Sequence, residues 1–201
     1  EYFVFVVYED GLGFNYVRVK KAEAGLDGIY MVFFMDASRS LSQKHFTKLK
    51  KSAKKIVARA GEKDMIAVYV FNDTITLKSS FTRDKNEILG IIDSVTRSGK
   101  KTLLYDSLYD SMTLLGEGSI ERKRLVCFTD GKDEGSSVTE KDVVSFARDH
   151  RIPVHFVHPP DAERLTRMKR LAKLTGGSVV SSVQEGGSDD SLKELFRSRM
   201  D

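Results

Sequence analysis

The sequence predicts an α/β domain built on a doubly wound, mostly parallel six-stranded sheet with one antiparallel edge strand, helices on both faces and a short β-hairpin in front. Three observations predict it. Residues 29–35, IYMVFFM, are seven positions without a charge that run straight into Asp36; the run is too short for a membrane helix and has the length of a strand. A strand in the middle of a parallel sheet is covered on both faces, so it reads as a continuous apolar run and not an alternating one. A second such run, RLVCFT at 124–129, ends in the same way at Asp130. Between and beyond these two, strand-like and helix-like stretches alternate, which is the pattern of βαβ units.

Residues 2–24 are β-like, with YFVFVVYEDG, then Gly11 and Gly13, then FNYVRVKKA. Glu9-Asp10-Gly11 followed by Gly13 is a turn signal between two strand-like runs, and it predicts a hairpin. Gly25 and Gly28 bracket a connector. The expected division is therefore a hairpin extension at 1–25 and the main domain at 26–201. Over 41–60, Leu49, Ala53, Ile56 and Ala60 recur at helical spacing, and Gly61 is the stop. MIAVYVF at 65–71 is the next strand, and Asn72-Asp73 turns the chain into TITL at 74–77, an antiparallel edge strand. Helices are expected at 85–95 and 103–115. After the strand at 124–129 come a helix at 140–150, a strand from Pro153, a helix at 161–174, a strand around 177–182 and a last helix from Ser191.

Composition bounds the function. A chain of 201 residues, 40% hydrophobic and 31% charged with 3 Pro, can bury a sizeable core and is not disordered. The single cysteine, Cys127, lies inside an apolar strand and excludes an intramolecular disulfide framework. No stretch is long and apolar enough to span a bilayer. The chain opens on Glu1 without a signal-peptide pattern, so a longer parent protein is expected. The net charge of +4 is modest and the basic residues fall on helical faces, which argues against nucleic acid. Lys44, Lys48, Lys50, Lys51, Lys54 and Lys55 lie opposite the apolar stripe of one helix, as on a solvated amphipathic face.

The chemistry gathers at the ends of the two apolar strands. Open α/β sheets bind ligands beyond the carboxyl ends of their strands, where the strand order reverses. Asp36 and Asp130 both stand at such ends. Ser38 and Ser40 follow Asp36 at alternate positions, and Thr102 sits in a loop just before a helix, offering a hydroxyl from the same rim. Carboxylate and hydroxyl oxygens suit a hard cation such as Mg2+ in an octahedral shell. Each residue also has an ordinary alternative: Ser38, Ser40 or Ser42 can cap the helix beginning near Leu41, Thr102 can cap the next one, and Asp130 can be the turn residue before Gly131. One serine suffices for a cap. Three loops arriving at one sheet edge are not explained by these alternatives together.

Asp36-Ala37-Ser38-Arg39-Ser40, Thr102 ahead of LLYDSLYD, and Phe128-Thr129-Asp130-Gly131 resemble a von Willebrand factor type A domain of the bacterial type, over residues 29–199. The hairpin carrying YEDG is similar to the segment before the A domain in a group of bacterial proteins. The resemblance implies a Rossmann-like fold with a metal-ion-dependent adhesion site (MIDAS). In that site Ser38, Ser40 and Thr102 offer hydroxyls, and Asp36 and Asp130 hold Mg2+, Mn2+ or Ca2+ directly or through water. One coordination position stays open for an acidic side chain of a protein partner. Two positions depart from the commonest bacterial form: Arg39 replaces a glycine and Leu41 a methionine. Neither supplies a ligand. Arg39 places a cation beside the site, where it can favour an acidic partner, pair with Asp133 or Glu134, or face solvent.

The expected function is metal-dependent protein binding and not catalysis, since nothing nearby supplies an activated nucleophile or a positioned base. Two rival readings remain: a metal-assisted phosphohydrolase, for which no Gly-rich phosphate loop follows any strand, and a structural subunit whose site is vestigial. His155 and His158 flank Phe156-Val157, so one is expected to be buried and the other to face a loop. Family resemblance also implies an extracytoplasmic location, whether periplasmic, membrane-anchored or at the cell surface, and leaves the partner and the oligomeric state open.

Overall fold

The computed structural model describes residues 2–7, 15–20, 28–116, 122–162, 164–182 and 195. Strands β1 (Tyr2–Val7) and β2 (Asn15–Lys20) pair antiparallel as a two-stranded sheet, the expected hairpin. The boundary expected near residue 25 lies outside the described residues. A second sheet holds β3 (Tyr30–Asp36), β4 (Met65–Phe71), β5 (Ile75–Thr82), β6 (Lys123–Phe128), β7 (Val154–His158) and β8 (Val179–Ser181), in the order β5-β4-β3-β6-β7-β8. All neighbours run parallel except β4 and β5. Helices α1 (Gln43–Arg59), α2 (Lys85–Ser94), α3 (Leu104–Gly116), α4 (Glu140–Asp149) and α5 (Leu165–Thr175) complete the alternation. The order reverses between β3 and β6: the chain winds outward to β4 in one direction and to β7 in the other.

Successive residues of β3 enter two different cores, which is why that strand carries no polar face. Met31, Phe33 and Met35 pack with α1 and α2, against Leu49, Ile56 and Ile88. Val32 and Phe34 pack on the opposite face with α3, α4 and α5, against Leu108, Val143 and Leu171. Aromatic pairs tie the central strands on both sides: Phe33 meets Phe128 edge-on at 5.2 Å, and Phe34 stacks on Phe71 at 4.2 Å. Such pairs contribute about 0.5–1.5 kcal/mol beyond the area they bury.

Three elements differ from the expectation. The edge strand β5 runs on to Thr82, past Leu77. Its residues Lys78, Ser79 and Ser80 break the apolar alternation, because an edge strand is held by its ladder to β4 and not by two-sided burial. Helix α5 begins at Leu165, four residues later than read: Pro159 and Pro160 form a turn, closed by Ala162 N donating to Pro159 O at 3.1 Å. The lysine face of α1 is not wholly solvated. Lys50 Nζ donates to Asp93 O (2.9 Å) and Val95 O (3.0 Å) and so satisfies carbonyls at the carboxyl end of α2, and Lys54 pairs with the Asp93 side chain there. The last helix expected from Ser191 lies outside the described residues, apart from Leu195, which is buried in the core.

Gly28 leads into β3 where the chain passes closest to the loop before β4. A Cβ there would sit 1.9 Å from Lys63 O. Ile29 N donates to Asp64 Oδ1 at 2.7 Å and Met65 N to Ile29 O at 2.9 Å, which holds the two segments together. Gly28→Ala should therefore cost about 1–3 kcal/mol as overpacking. Gly90→Ala, inside α2 with nothing within 4 Å of the added carbon, should stabilise by about 0.4–1 kcal/mol. Thermal unfolding of the two variants checks both signs.

Candidate metal centre

Asp36 closes β3 at the reversal point and is 1% exposed. Both of its oxygens are engaged: Oδ1 accepts from Ser38 N at 2.9 Å, and Oδ2 accepts from Thr129 Oγ1 at 2.7 Å. Thr129 directly follows β6 and is itself buried, and its hydroxyl oxygen accepts from Gly131 N at 3.1 Å. The register Met35↔Phe128 sets these two strand ends side by side. From Asp36 a row of hydroxyls leads outward. Ser38 Oγ and Ser40 Oγ lie 2.6 Å apart, and Ser40 Oγ and Thr102 Oγ1 lie 3.2 Å apart. Ser38 and Thr102 are buried, whereas Ser40 is exposed. Asp130, half-buried, accepts from Lys132 N at 2.9 Å through Oδ1.

The helix caps are made by other residues. Ser42 caps α1, accepting from His45 N at 3.1 Å. The first amides of α3 are met from the loop after β6: Leu104 N donates to Asp133 Oδ1 at 2.9 Å, and Tyr105 N to Ser136 Oγ at 3.1 Å. Thr102 is tied to the same loop through its backbone, its N donating to Glu134 Oε2 (3.1 Å) and its O accepting from Glu134 N (2.8 Å). The hydroxyls of Ser38, Ser40 and Thr102 are thus not taken up in capping.

Arg39 pairs with neither acid considered for it. Asp133 is occupied by the α3 amide and by Ser136 Oγ (2.5 Å), and Glu134 pairs with Lys132 at 2.6 Å. The hydrogen bond from Lys132 and the charges of Lys132 and Lys101 hold the Glu134 carboxyl below its usual range. Arg39 is exposed and makes no ion pair among the described residues.

Two residues that matter here have no role assigned from the sequence, although Thr129 lies within the motif Phe128-Thr129-Asp130-Gly131. Thr129 fixes Asp36 from the neighbouring strand. Arg97 braces the serine loop: its guanidinium donates to Leu41 O and, through Nε, to Gln43 Oε1 at 3.1 Å. Next to it Ser98 N donates to Ala37 O at 2.7 Å, and Ser98 Oγ accepts from Asn72 Nδ2 at 2.9 Å. The two histidines are both buried, so the expectation that one faces a loop does not hold. His155 Nδ1 lies 3.0 Å from Ser178 Oγ, and His158 Nδ1 lies 2.6 Å from Pro159 O. His158 is the last residue of β7 and is covered there, and burial holds its pKa below the ordinary value.

Burial dominates the electrostatics. It raises the Asp36 pKa from 3.8 to about 6, against the hydrogen bonds from Ser38 and Thr129, with the charge of Asp130 adding to the rise. The residues that could hold a cation are Asp36, Ser38, Ser40, Thr102 and Asp130, an all-oxygen set of two carboxylates and three hydroxyls. Among the described residues no group of three or more His, Cys, Asp or Glu could hold a metal ion. A cage of carboxylates or imidazoles is therefore not what this edge offers.

The sequence profile of the von Willebrand factor type A domain matches residues 31–197. The chain belongs to this family. Solved structures similar to this von Willebrand factor type A domain include an aerotolerance-related membrane protein from Bacteroides fragilis, 15% identical with a TM-score of 0.70 over 84% of this chain and 97% of that one. BatB from Bacteroides thetaiotaomicron is 14% identical with a TM-score of 0.68, over 84% of this chain and 98% of that one. Proximal thread matrix protein 1 of the mussel byssus, solved with a zinc-occupied MIDAS motif, is 21% identical with a TM-score of 0.67, over 84% of this chain and 45% of that one. At these identities the likeness shows the fold alone. No curated protein matches the chain.

A carboxyl whose pKa is raised on folding stabilises the fold below its unfolded pKa, and that contribution is lost as pH rises through the folded value. For Asp36 the window runs from 3.8 to about 6. With a chelator present, lowering the pH from about 7.5 to about 5 should stabilise the native domain by about 1.4 kcal/mol relative to Asp36→Asn, which does not titrate. Denaturant unfolding of both proteins at the two pH values measures it; a difference that does not move with pH shows Asp36 to be solvated.

Proposed function

We propose that this domain binds a protein partner through a divalent cation, and that an acidic side chain of the partner completes the metal's shell. The observation that carries this reading is the hydroxyl row Ser38–Ser40–Thr102, with separations of 2.6 and 3.2 Å, standing uncommitted to capping beside a buried carboxylate. The donor chemistry fits a hard ion: there are oxygens and no nitrogen or sulfur, so Mg2+, Mn2+ or Ca2+ is favoured over Zn2+. Mg2+ is commonly held by one or two carboxylates with water completing the shell. When bound, the cation supplies an electrophilic point on an otherwise neutral centre, because Asp36 and Asp130 balance its charge and the hydroxyls add none.

The mussel protein with its zinc-occupied MIDAS supports a cation at this kind of edge. His155 and His158, the two histidines of β7, are buried with Nδ1 beside Ser178 Oγ and Pro159 O, which supports binding over hydrolysis at this strand. An extracytoplasmic setting rests on the family resemblance, and the Bacteroides fragilis protein, a membrane protein, supports a place at a membrane. No helix among the described residues is long and apolar enough to cross a membrane.

Calorimetric titration with MgCl2 or MnCl2 alone tests the site. The native domain should bind one ion, and a free concentration about a hundred times Kd should raise its stability by about 2.7 kcal/mol. Asp130→Ala should lose that binding while its melting temperature in chelator stays near native, since the residue is half-buried on a loop rim. A folded native domain that takes up neither ion overturns the reading.

A further inference from the structure

The rim of the candidate centre carries more positive charge than its own acids compensate. Arg39 stands between Ser38 and Ser40, and Lys101 directly precedes Thr102. The 3.2 Å separation of Ser40 Oγ and Thr102 Oγ1 brings the two loops together, so Arg39 and Lys101 adjoin the hydroxyl row in the chain, one on each loop. Both are exposed, as is Lys100, of which only the backbone N is engaged, at 3.4 Å from Asp73 Oδ2. Lys132 is the fourth rim cation and is matched by Glu134 at 2.6 Å. Asp133 accepts from the α3 amides and Ser136, neutral donors that leave its charge in place. Outside the coordination set, four cations face three rim carboxylates, Asp73, Asp133 and Glu134, an excess of one positive charge.

A lone carboxylate in the open metal position meets the ion and leaves that excess untouched. Charges arranged in this way around a contact act on encounter rate and partner choice more than on the metal bond itself. Resting on the metal-dependent reading above, we propose that the partner segment is acidic beyond its one metal-binding residue: it carries at least one further carboxylate on each side, met by Arg39 and Lys101. Arg39 is thereby a specificity-determining residue, standing where a glycine would leave the rim without a side chain.

Two synthetic peptides test this, one with a single aspartate among glycines and one with the same aspartate flanked by two glutamates on either side. Their affinities are read by fluorescence anisotropy in MnCl2 at about 50 mM and about 300 mM NaCl, a range over which the Debye length falls by more than half. The flanked peptide should bind about tenfold tighter at low salt, and its advantage should shrink at high salt. Arg39→Gln with Lys101→Gln should reduce it to the single-aspartate level, while titration with MnCl2 alone shows the ion still bound. Equal affinities for the two peptides, or no binding of either with the ion bound, overturns the inference and leaves the metal site standing. An oligothymidine that binds as tightly as the flanked peptide overturns it as well, since the rim then selects any polyanion. Loss of ion binding in the native domain overturns the reading beneath it.

Discussion

The parallel pairing of β3 with β6 is the contact on which the rest depends. It lies where the strand order reverses, so no crossover helix covers the ends of both strands, and a crevice opens beyond them. The register that puts Met35 opposite Phe128 also puts Asp36 within 2.7 Å of the Thr129 hydroxyl. One pairing therefore completes two cores, one on each face of β3, and delivers a carboxylate to the floor of the crevice. Elsewhere in the sheet the same ladder chemistry only holds strands; here it sets the position of a charge.

That charge is kept at a cost. A carboxyl desolvated to the point where its pKa reaches about 6 is a group the fold would hold more easily as an amide or an aliphatic residue. Two hydrogen bonds fix its orientation without neutralising it. The surrounding apolar layers, with Phe33, Phe34, Phe71 and Phe128 fully buried, supply the stability that lets such a position persist. Local strain in solvation and global surplus in packing are the usual partition between a site and its scaffold.

How much of this was legible in the sequence follows from how local each cause is. The charge-free runs of β3 and β4 announce two-sided burial, and the alternation of elements gives the topology. Ser38, Ser40 and Thr102 stand out because their spacing and loop context are local. Thr129 does not, although it adjoins Asp130, because its role exists only through the register of a strand 93 positions away. Arg97 is equally silent: a guanidinium in a loop acquires meaning only when Leu41 O comes within reach. The caps of α3 come from Asp133 and Ser136, about thirty residues downstream, so capping preferences at Thr102 misdirect. Of the alternatives open to Arg39, pairing with Asp133 or Glu134 is not realised and exposure is, because those acids are taken by backbone amides, Ser136 and Lys132.

The bonds between Thr102 and Glu134, and between Asp133 and the first amide of α3, have a mechanical consequence. They weld the loop after β6 to the entrance of α3, so that Asp130, Thr102 and that helix form one lever. Asp36, Ser38 and Ser40 belong to a second piece, strapped through Ala37 and Leu41 to Arg97 and Ser98. The two meet at a seam, the 3.2 Å gap between Ser40 Oγ and Thr102 Oγ1, and are also joined deeper down by Thr129 on Asp36. Beyond what a rotation of the exposed Ser40 hydroxyl absorbs, a change in that seam shifts one bank against the other, moving the entrance of α3 or loading the straps on the opposite side.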